Sequence, residues 1–308
     1  MRRKVLIAGG GVGGLEAALA LRALAGERLD IELLAPERHF TYRPLAVAEP
    51  FGRAATIKVE VARIAAERGF GVTRDVLDAV LTDERAVVTQ DGCHLAYDDL
   101  VLALGARPRV AVPGALTFRG PQDVWRMTQA LHAVETDRHR LRVAFLAPRG
   151  TTWTLPLYEL ALLTEAWASA RKLAIDISII TPEPFALAAF GPDASADVQR
   201  LLDERRIAIR TNCIPDASGD GVVRSVLGER VPADVAVALP MLVGPNVRGA
   251  PSDALGFTPV DDLCRVEGLD RVYAIGDMAA REIKQGGLAA QQADVAAAAI
   301  AAAAGAPV

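Results

Sequence analysis

The chain has 308 residues, 51% of them hydrophobic and 23% charged, with a net charge of −4. At about 150 residues per domain this is two domains' worth of chain, and its apolar share excludes a disordered or collagen-like protein. The slightly acidic balance excludes the basic footprint of a nucleic-acid binder. Three cysteines without C-x-x-C spacing exclude a zinc ribbon, a dithiol motif and a disulfide framework, and suit a reducing cytoplasm.

The basic start, Met1-Arg2-Arg3-Lys4, leads into Val5-Leu6-Ile7-Ala8. Gly9-Gly10-Gly11 cuts this run short of the roughly 7–15 apolar residues of a signal peptide. An apolar run without alternation marks a strand buried on both faces. Leu15 to Ala25 reads as a helix, with Leu15, Leu19 and Leu21 or Leu24 on one stripe. Ile31 to Ala35 is the second strand, ended by Pro36, so the unit has the size of one βαβ crossover.

Residues 56–104 read as a helix followed by short strands, among them Val72-Thr73 and Ala86 to Thr89, with Gln90-Asp91-Gly92 as a turn. Leu100 to Leu104 is a buried strand stopped by Gly105. After Pro113-Gly114 a second α/β unit begins. Its strands are Leu141 to Ala147 and Ile175 to Thr181, its helices Leu157 to Arg171 and Asp197 to Arg205, and three short strands follow up to Leu239. Val272 to Ile275 returns as a buried strand. The closing Ala-rich helix is shorter than the ~20 apolar residues of a membrane span.

Gly9-Gly10-Gly11-Val12-Gly13-Gly14 matches G-x-G-x-x-G between a strand and a helix. In that setting Gly9 permits the tight turn, Gly11 lets backbone approach a pyrophosphate, and Gly14 lets helix and strand pack closely. The helix start supplies N–H groups and positive dipole. The acid that usually holds a ribose at the end of the second strand is replaced by Ala35, with Glu37 two residues later. Either Glu37 reaches back or backbone groups hold the ribose. The expected fold is therefore α/β, with two Rossmann-like (FAD/NAD(P)-binding) units. Residues 1–112 and 240–308 would form the discontinuous first unit, and 113–239 the inserted second.

The run Phe40-Thr41-Tyr42-Arg43-Pro44-Leu45 resembles an aromatic-x-aromatic-x-Pro-Leu signature of type II NADH dehydrogenases and sulfide:quinone oxidoreductases. Leu100 to Pro108, Val272 to Asp277 and Lys284 to Ala293 resemble three further flavin motifs of that family, in order. The resemblance implies FAD, with Arg43, Pro44 and Gly105 beside it. It also implies a hydrogen bond from Asp277 to the ribityl chain, close approach at Gly276, and amides of Gly287 and Leu288 near the flavin pyrimidine edge. A helix starting near Gly287 would favour the reduced flavin anion through its dipole. Taken alone, Gly276-Asp277 reads equally as a strand-end turn.

The second unit lacks the matching loop. It reads Ala147-Pro148-Arg149-Gly150-Thr151-Thr152-Trp153-Thr154-Leu155-Pro156. One glycine remains, both prolines lack an N–H, and Trp153 adds bulk where backbone should meet pyrophosphate. Its second strand ends at Thr181-Pro182 without a ribose acid. The loop is more similar to that of sulfide:quinone oxidoreductases, whose catalysis uses cysteines beside the flavin. Cys93, Cys213 and Cys264 match none of those positions, so persulfide chemistry is not expected. Glu159 matches a family glutamate that faces the flavin. It reads either as a proton relay and the candidate catalytic residue, or as a helix-start acid favoured by the dipole. His39, His94, His132 and His139 are too scattered for a metal site.

The function read from this is an FAD-dependent oxidoreductase with a donor other than NAD(P)H and a quinone-like acceptor. The alternatives are a soluble NAD(P)H:acceptor (quinone) reductase and a non-catalytic flavoprotein subunit or scaffold. The expected partners are a small-molecule redox substrate and no nucleic acid, with a partner subunit or homo-oligomer left open. Since Val308 closely follows the flavin helix, no stable membrane anchor is expected, and the location is read as cytoplasmic.

Overall fold

The structure, a computed structural model, describes residues 2–136 and 141–307. Its main elements in chain order are β1 (Arg3–Ala8), α1 (Val12–Ala25), β2 (Leu29–Leu34), β3 (Gly71–Thr73), β4 (Asp99–Leu102), β5 (Leu116–Thr117), β6 (Leu141–Leu146), α2 (Leu155–Ala170), β7 (Ile175–Ile180), α3 (Pro192–Glu204), β8 (Ala208–Arg210), β9 (Val235–Ala238), β10 (Val272–Ala274) and α4 (Gly286–Ala303). The chain divides into two compact units. The first holds the segment ending at Thr41, Lys58–Arg107 and the segment from Val243; the second holds Tyr42–Ile57 and Pro108–Leu242.

In the first unit five parallel strands lie in the order β10-β4-β1-β2-β3. Both faces are covered, which is why β1 is apolar without alternation. Val5 and Ile7 share a core with Leu15, Ala18 and Leu21 of α1 and Ala296 and Ile300 of α4. Leu6 and Ala8 join Leu100, Leu102 and Ala274 against Val80 and Val87 of a small antiparallel sheet. Each fully buried Leu or Ile contributes roughly 1.5–3 kcal/mol. Buried alanines on α1 and α4, among them Ala17, Ala293 and Ala297, let the two helices pack side by side. At the opposite end of the sheet from the glycine loop, Arg3 grips Asp99 through two hydrogen bonds, one of them Nη2 to Oδ1 at 2.9 Å.

In the second unit five parallel strands run β5-β9-β6-β7-β8. Val143, Phe145, Ile177 and Ile179 pack on Leu157, Leu160 and Ala161 of α2. Ala144, Leu146 and Ile180 face Val223 and Val231 of an antiparallel sheet. In both units the strand before the first loop, β1 or β6, is central, with its successor on one side and a later strand on the other. That is the switch-point arrangement of dinucleotide-binding folds.

Several boundaries differ from the sequence reading. The segment 42–57 clusters with the second unit, not the first, because Ala46 is buried in the second unit's core and Val47 and Phe51 pack against it. The remaining borders fall at 107/108 and 242/243, against the expected 112/113 and 239/240. α2 and α3 start earlier than expected, at Leu155 and Pro192. Pro156 and Pro192 stand in their first turns, where no intrahelical N–H is needed.

Candidate functional site

At the C-terminal edge of the first sheet each glycine of the loop has a separate task. Gly9 has φ +120°, and a Cβ there would lie 2.3 Å from the Ala103 carbonyl oxygen. A Cβ on Gly14 would lie 1.8 Å from the carbonyl oxygen of Gly9, so only glycine allows α1 this close to β1. Gly11 is extended and exposed, with nothing within 4 Å of a Cβ position. No side chain caps α1 and its first turn holds no acid. Its first-turn N–H groups and positive dipole end therefore have no side-chain cap or acid of their own, which suits a pyrophosphate.

The other first-unit residues expected at a flavin gather around this loop. Ile275 packs beside Gly13, 3.6 Å from a Cβ position there, and Gly276 has φ +70°, with a Cβ position 3.3 Å from that of Ala289, a tight contact. The Gly276 N–H donates to Gln292 Oε1 at 2.7 Å. Asp277 sits half-buried in the turn Gly276–Met278. The Leu104 N–H donates to Met278 Sδ at 3.3 Å, which joins the Gly105 loop to the Asp277 turn. Glu37 is exposed, its Oε2 3.8 Å from a Cβ position on Gly10, at the rim of the glycine loop. A Cβ on Gly286 would stand 3.8 Å from Val12, so α1 and α4 bring their N-terminal ends to the same place.

Leu288 differs from expectation. Its N–H donates to Gln285 Oε1 at 2.8 Å, because Gln285 is the N-cap of α4 and reaches the third amide of the helix. Exposed Gly286 and Gly287 carry the first-turn amides that remain for a ligand. Lys284 precedes them, half-buried, donating to the Ala279 carbonyl with Nζ 3.9 Å above the Phe257 ring. Burial holds its ammonium below the usual lysine range, while Asp277 and Asp253 pull it back up.

Arg43, Pro44 and Glu159 belong to the second unit. Arg43 and Pro44 are exposed on the turn Arg43–Val47. Glu159 lies in the first part of α2, half-buried, and burial pushes its carboxyl above the ordinary range.

The corner after β6 and β7 holds a residue that the sequence reading passed over. Glu183 directly follows Thr181-Pro182, and four donors converge on its carboxylate. Thr154 Oγ1 at 2.8 Å and the Ala188 N–H at 3.0 Å reach Oε1; the Tyr158 hydroxyl and Thr181 Oγ1, both at 2.8 Å, reach Oε2. The Tyr158 hydroxyl also accepts from the Leu187 N–H at 2.9 Å. Burial raises its pKa, so it stays a neutral donor. Trp153 packs on Phe190, ring centroids 5.1 Å apart. The available signal was the repetition of x-Pro-Glu: Ala35-Pro36-Glu37 after β2 and Thr181-Pro182-Glu183 after β7.

Cys213 and Cys264 are buried, and burial is the main cause that raises both thiols' pKa values, which disfavours thiolates. Cys93 is exposed. Among the described residues no cluster of His, Cys, Asp and Glu could hold a metal. His39, His94 and His132 are exposed, and His139 lies outside the described residues. No helix among the described residues is long and apolar enough to cross a membrane.

This fold, a pair of parallel-sheet units with an open glycine loop in the first, defines a class of two-dinucleotide-fold oxidoreductases. The family model described as pyridine nucleotide-disulphide oxidoreductase matches residues 3–144 and 162–298, and the chain belongs to that family. The family's cofactor is FAD, and the first unit's glycine loop and paired helix starts fit it. The chain is 26% identical to the sulfide-quinone reductase of Aquifex aeolicus, over 82% of this chain and 62% of that one. It is 27% identical to the ferredoxin–NAD(+) reductase component of the biphenyl dioxygenase system of Paraburkholderia xenovorans, over 92% of this chain and 69% of that one. The chain thus spans about three fifths of the first relative's length. The X-ray structure of the Aquifex aeolicus sulfide:quinone oxidoreductase superposes with a TM-score of 0.88 at 23% identity, covering 97% of this chain and 76% of that one, a likeness of fold.

Proposed function

We infer that the protein is an FAD-dependent oxidoreductase whose donor is not NADH or NADPH and whose acceptor is a quinone-like ring. One contrast carries the donor assignment. The loop after β1 leaves Gly11 and the start of α1 open, whereas the loop after β6 keeps one glycine, two prolines and a half-buried Trp153. Losing two or three charge-assisted hydrogen bonds to a pyrophosphate, at roughly 1.5–3 kcal/mol each, weakens binding by several kcal/mol. The quinone-like acceptor rests on the name of the sulfide-quinone reductase relative.

When bound, FAD supplies electron-pair acceptance and onward transfer. In this reading Gly11 and the start of α1, shaped by the close packing at Gly9 and Gly14, would hold its pyrophosphate, and Glu37 would hold a ribose. Asp277 would orient the ribityl chain, and the Gly286 and Gly287 amides would favour negative charge on the ring system. Glu159 would be the residue that gives and takes the proton accompanying electron transfer. Its raised pKa moves it toward neutrality, where a general acid–base group works best.

Anaerobic stopped-flow mixing with NADH, NADPH, sulfide and a quinol, following the flavin band, tests this. No bleaching within seconds at micromolar NADH or NADPH is expected. Rapid bleaching would favour an NAD(P)H:acceptor reductase, the reading that the ferredoxin–NAD(+) reductase relative supports. Reduction by a partner protein alone would favour an electron-relay subunit.

A further inference from the structure

Both units turn the same corner after their second strand, and only one of the two carboxylates is left for a ligand. In the first unit Glu37 is exposed beside the glycine loop. In the second, Glu183 receives four donors, at 2.8 to 3.0 Å. An ionised carboxylate has about four acceptor sites, so this one has none to offer a ribose hydroxyl. The donors come from both sides of the crevice outside β6 and β7. Thr154 and Tyr158 stand at the start of α2, and Ala188 lies in the segment after β7. Trp153 and Phe190 repeat the closure between the same two segments. Leu187, held by the Tyr158 hydroxyl, takes a left-handed φ of +52°, a conformation that a leucine keeps only where its surroundings fix it.

We propose that this corner is a self-occupied dinucleotide site: Glu183 binds the chain's own hydroxyls and amide where a ribose would lie, and Trp153 on Phe190 covers the space of the pyrophosphate. The second unit thereby excludes nicotinamide dinucleotides by its own side chains, beyond the mere loss of glycines. The proposal deepens the donor assignment above and rests on it. Glu183 and Trp153 are specificity-determining residues in this account, and neither takes part in electron transfer.

Calorimetric titration of oxidised NAD+ into the FAD-loaded protein reads binding without electron transfer. No saturable heat below about 1 mM is expected, and a micromolar dissociation constant overturns the proposal. The double variant Glu183→Ala/Trp153→Ala removes both closures and leaves the Thr154, Tyr158, Thr181 and Ala188 donors facing the emptied space. With its flavin spectrum and cooperative melt retained, it is expected to bind NAD+ at least about tenfold more tightly than the unaltered protein. A folded double variant without that gain assigns the exclusion to Pro148 and Pro156 and overturns the roles given to Glu183 and Trp153. If it does not fold, Trp153→Ala alone, which opens the pyrophosphate space and leaves Glu183 with its four donors, is expected to bind NAD+ measurably more tightly than the unaltered protein, and the absence of a gain overturns the role given to Trp153. Failure of this proposal and failure of the donor assignment are separable. Rapid flavin bleaching at micromolar NADH defeats both, whereas NAD+ binding without bleaching defeats only the self-occupied corner and leaves the donor assignment standing.

Discussion

Gly14 and Gly9 touch so closely that a methyl group on the first would lie 1.8 Å from the carbonyl oxygen of the second. Gly11, two residues beyond Gly9, has open space around it. The pair predicts opposite kinds of failure. Gly14→Ala is expected to destabilise the protein by about 1–3 kcal/mol or more, with or without flavin, because α1 must move off β1. Gly11→Glu is expected to melt like the unaltered protein when both are flavin-free, yet to be colourless, because its charged side chain fills the pyrophosphate space. Thermal melts of the apo-proteins and flavin release on denaturation check both. A Gly11→Glu protein that retains FAD would place the pyrophosphate elsewhere.

Asp99 is 1% exposed and its partner Arg3 19% exposed, and they meet through a two-pronged contact at the end of the sheet away from the glycine loop. Asp99→Ala leaves a partly buried guanidinium without its counter-charge, with an expected loss of roughly 3 kcal/mol. Flavin affinity of the folded fraction is expected to be unchanged. Urea melts with a parallel flavin titration separate the two, and a loss of flavin affinity with unaltered stability would contradict this placement.

Glu159 gives a pH signature. Its carboxyl is raised by burial, so the neutral form is favoured in the folded state. That advantage is complete below the unfolded carboxylate range and is lost as pH rises through the raised folded value. Glu159→Gln, neutral throughout, is therefore expected to melt higher than the unaltered protein at pH 7–8, the difference vanishing by about pH 4. If Glu159 relays the proton, the same variant slows flavin reoxidation by a quinone by roughly 10²-fold or more. A variant with the melting difference and no rate loss would leave Glu159 a merely buried acid.

Gln285 holds the Leu288 amide at 2.8 Å as the N-cap of α4. Gln285→Ala is expected to cost about 1 kcal/mol of stability, as loss of a capping side chain does. It also releases the Leu288 N–H toward the ligand side of the helix. A raised flavin midpoint potential in that variant is the expected consequence, since one more donor stabilises the reduced anion. A lowered potential would mean that the Gln285 side chain itself contacts the flavin.

Much of the architecture follows from local chemistry. Unbroken apolar runs such as Val5 to Ala8 demand cover on both faces, and G-x-G-x-x-G between strand and helix demands a turn that only glycines make. These requirements act within a few residues, so the sequence alone determined two parallel-sheet units, the glycine loop and the loss of its counterpart after β6. Burial of Ala46, which carries the segment 42–57 into the second unit, depends on residues far along the chain and could not be read locally. The Leu288 amide escapes a sequence reading for a different reason: its partner Gln285 is only three residues away, but the contact forms only where the helix start makes Gln285 its N-cap. Glu183 stands beside the expected acid position in sequence, but only folding decided its fate. Its four donors come from Thr154, Tyr158, Thr181 and Ala188, and the residues of β7 and α2 must pack before they converge. A carboxylate's partners are set by distance in space, and sequence separation carries no record of it.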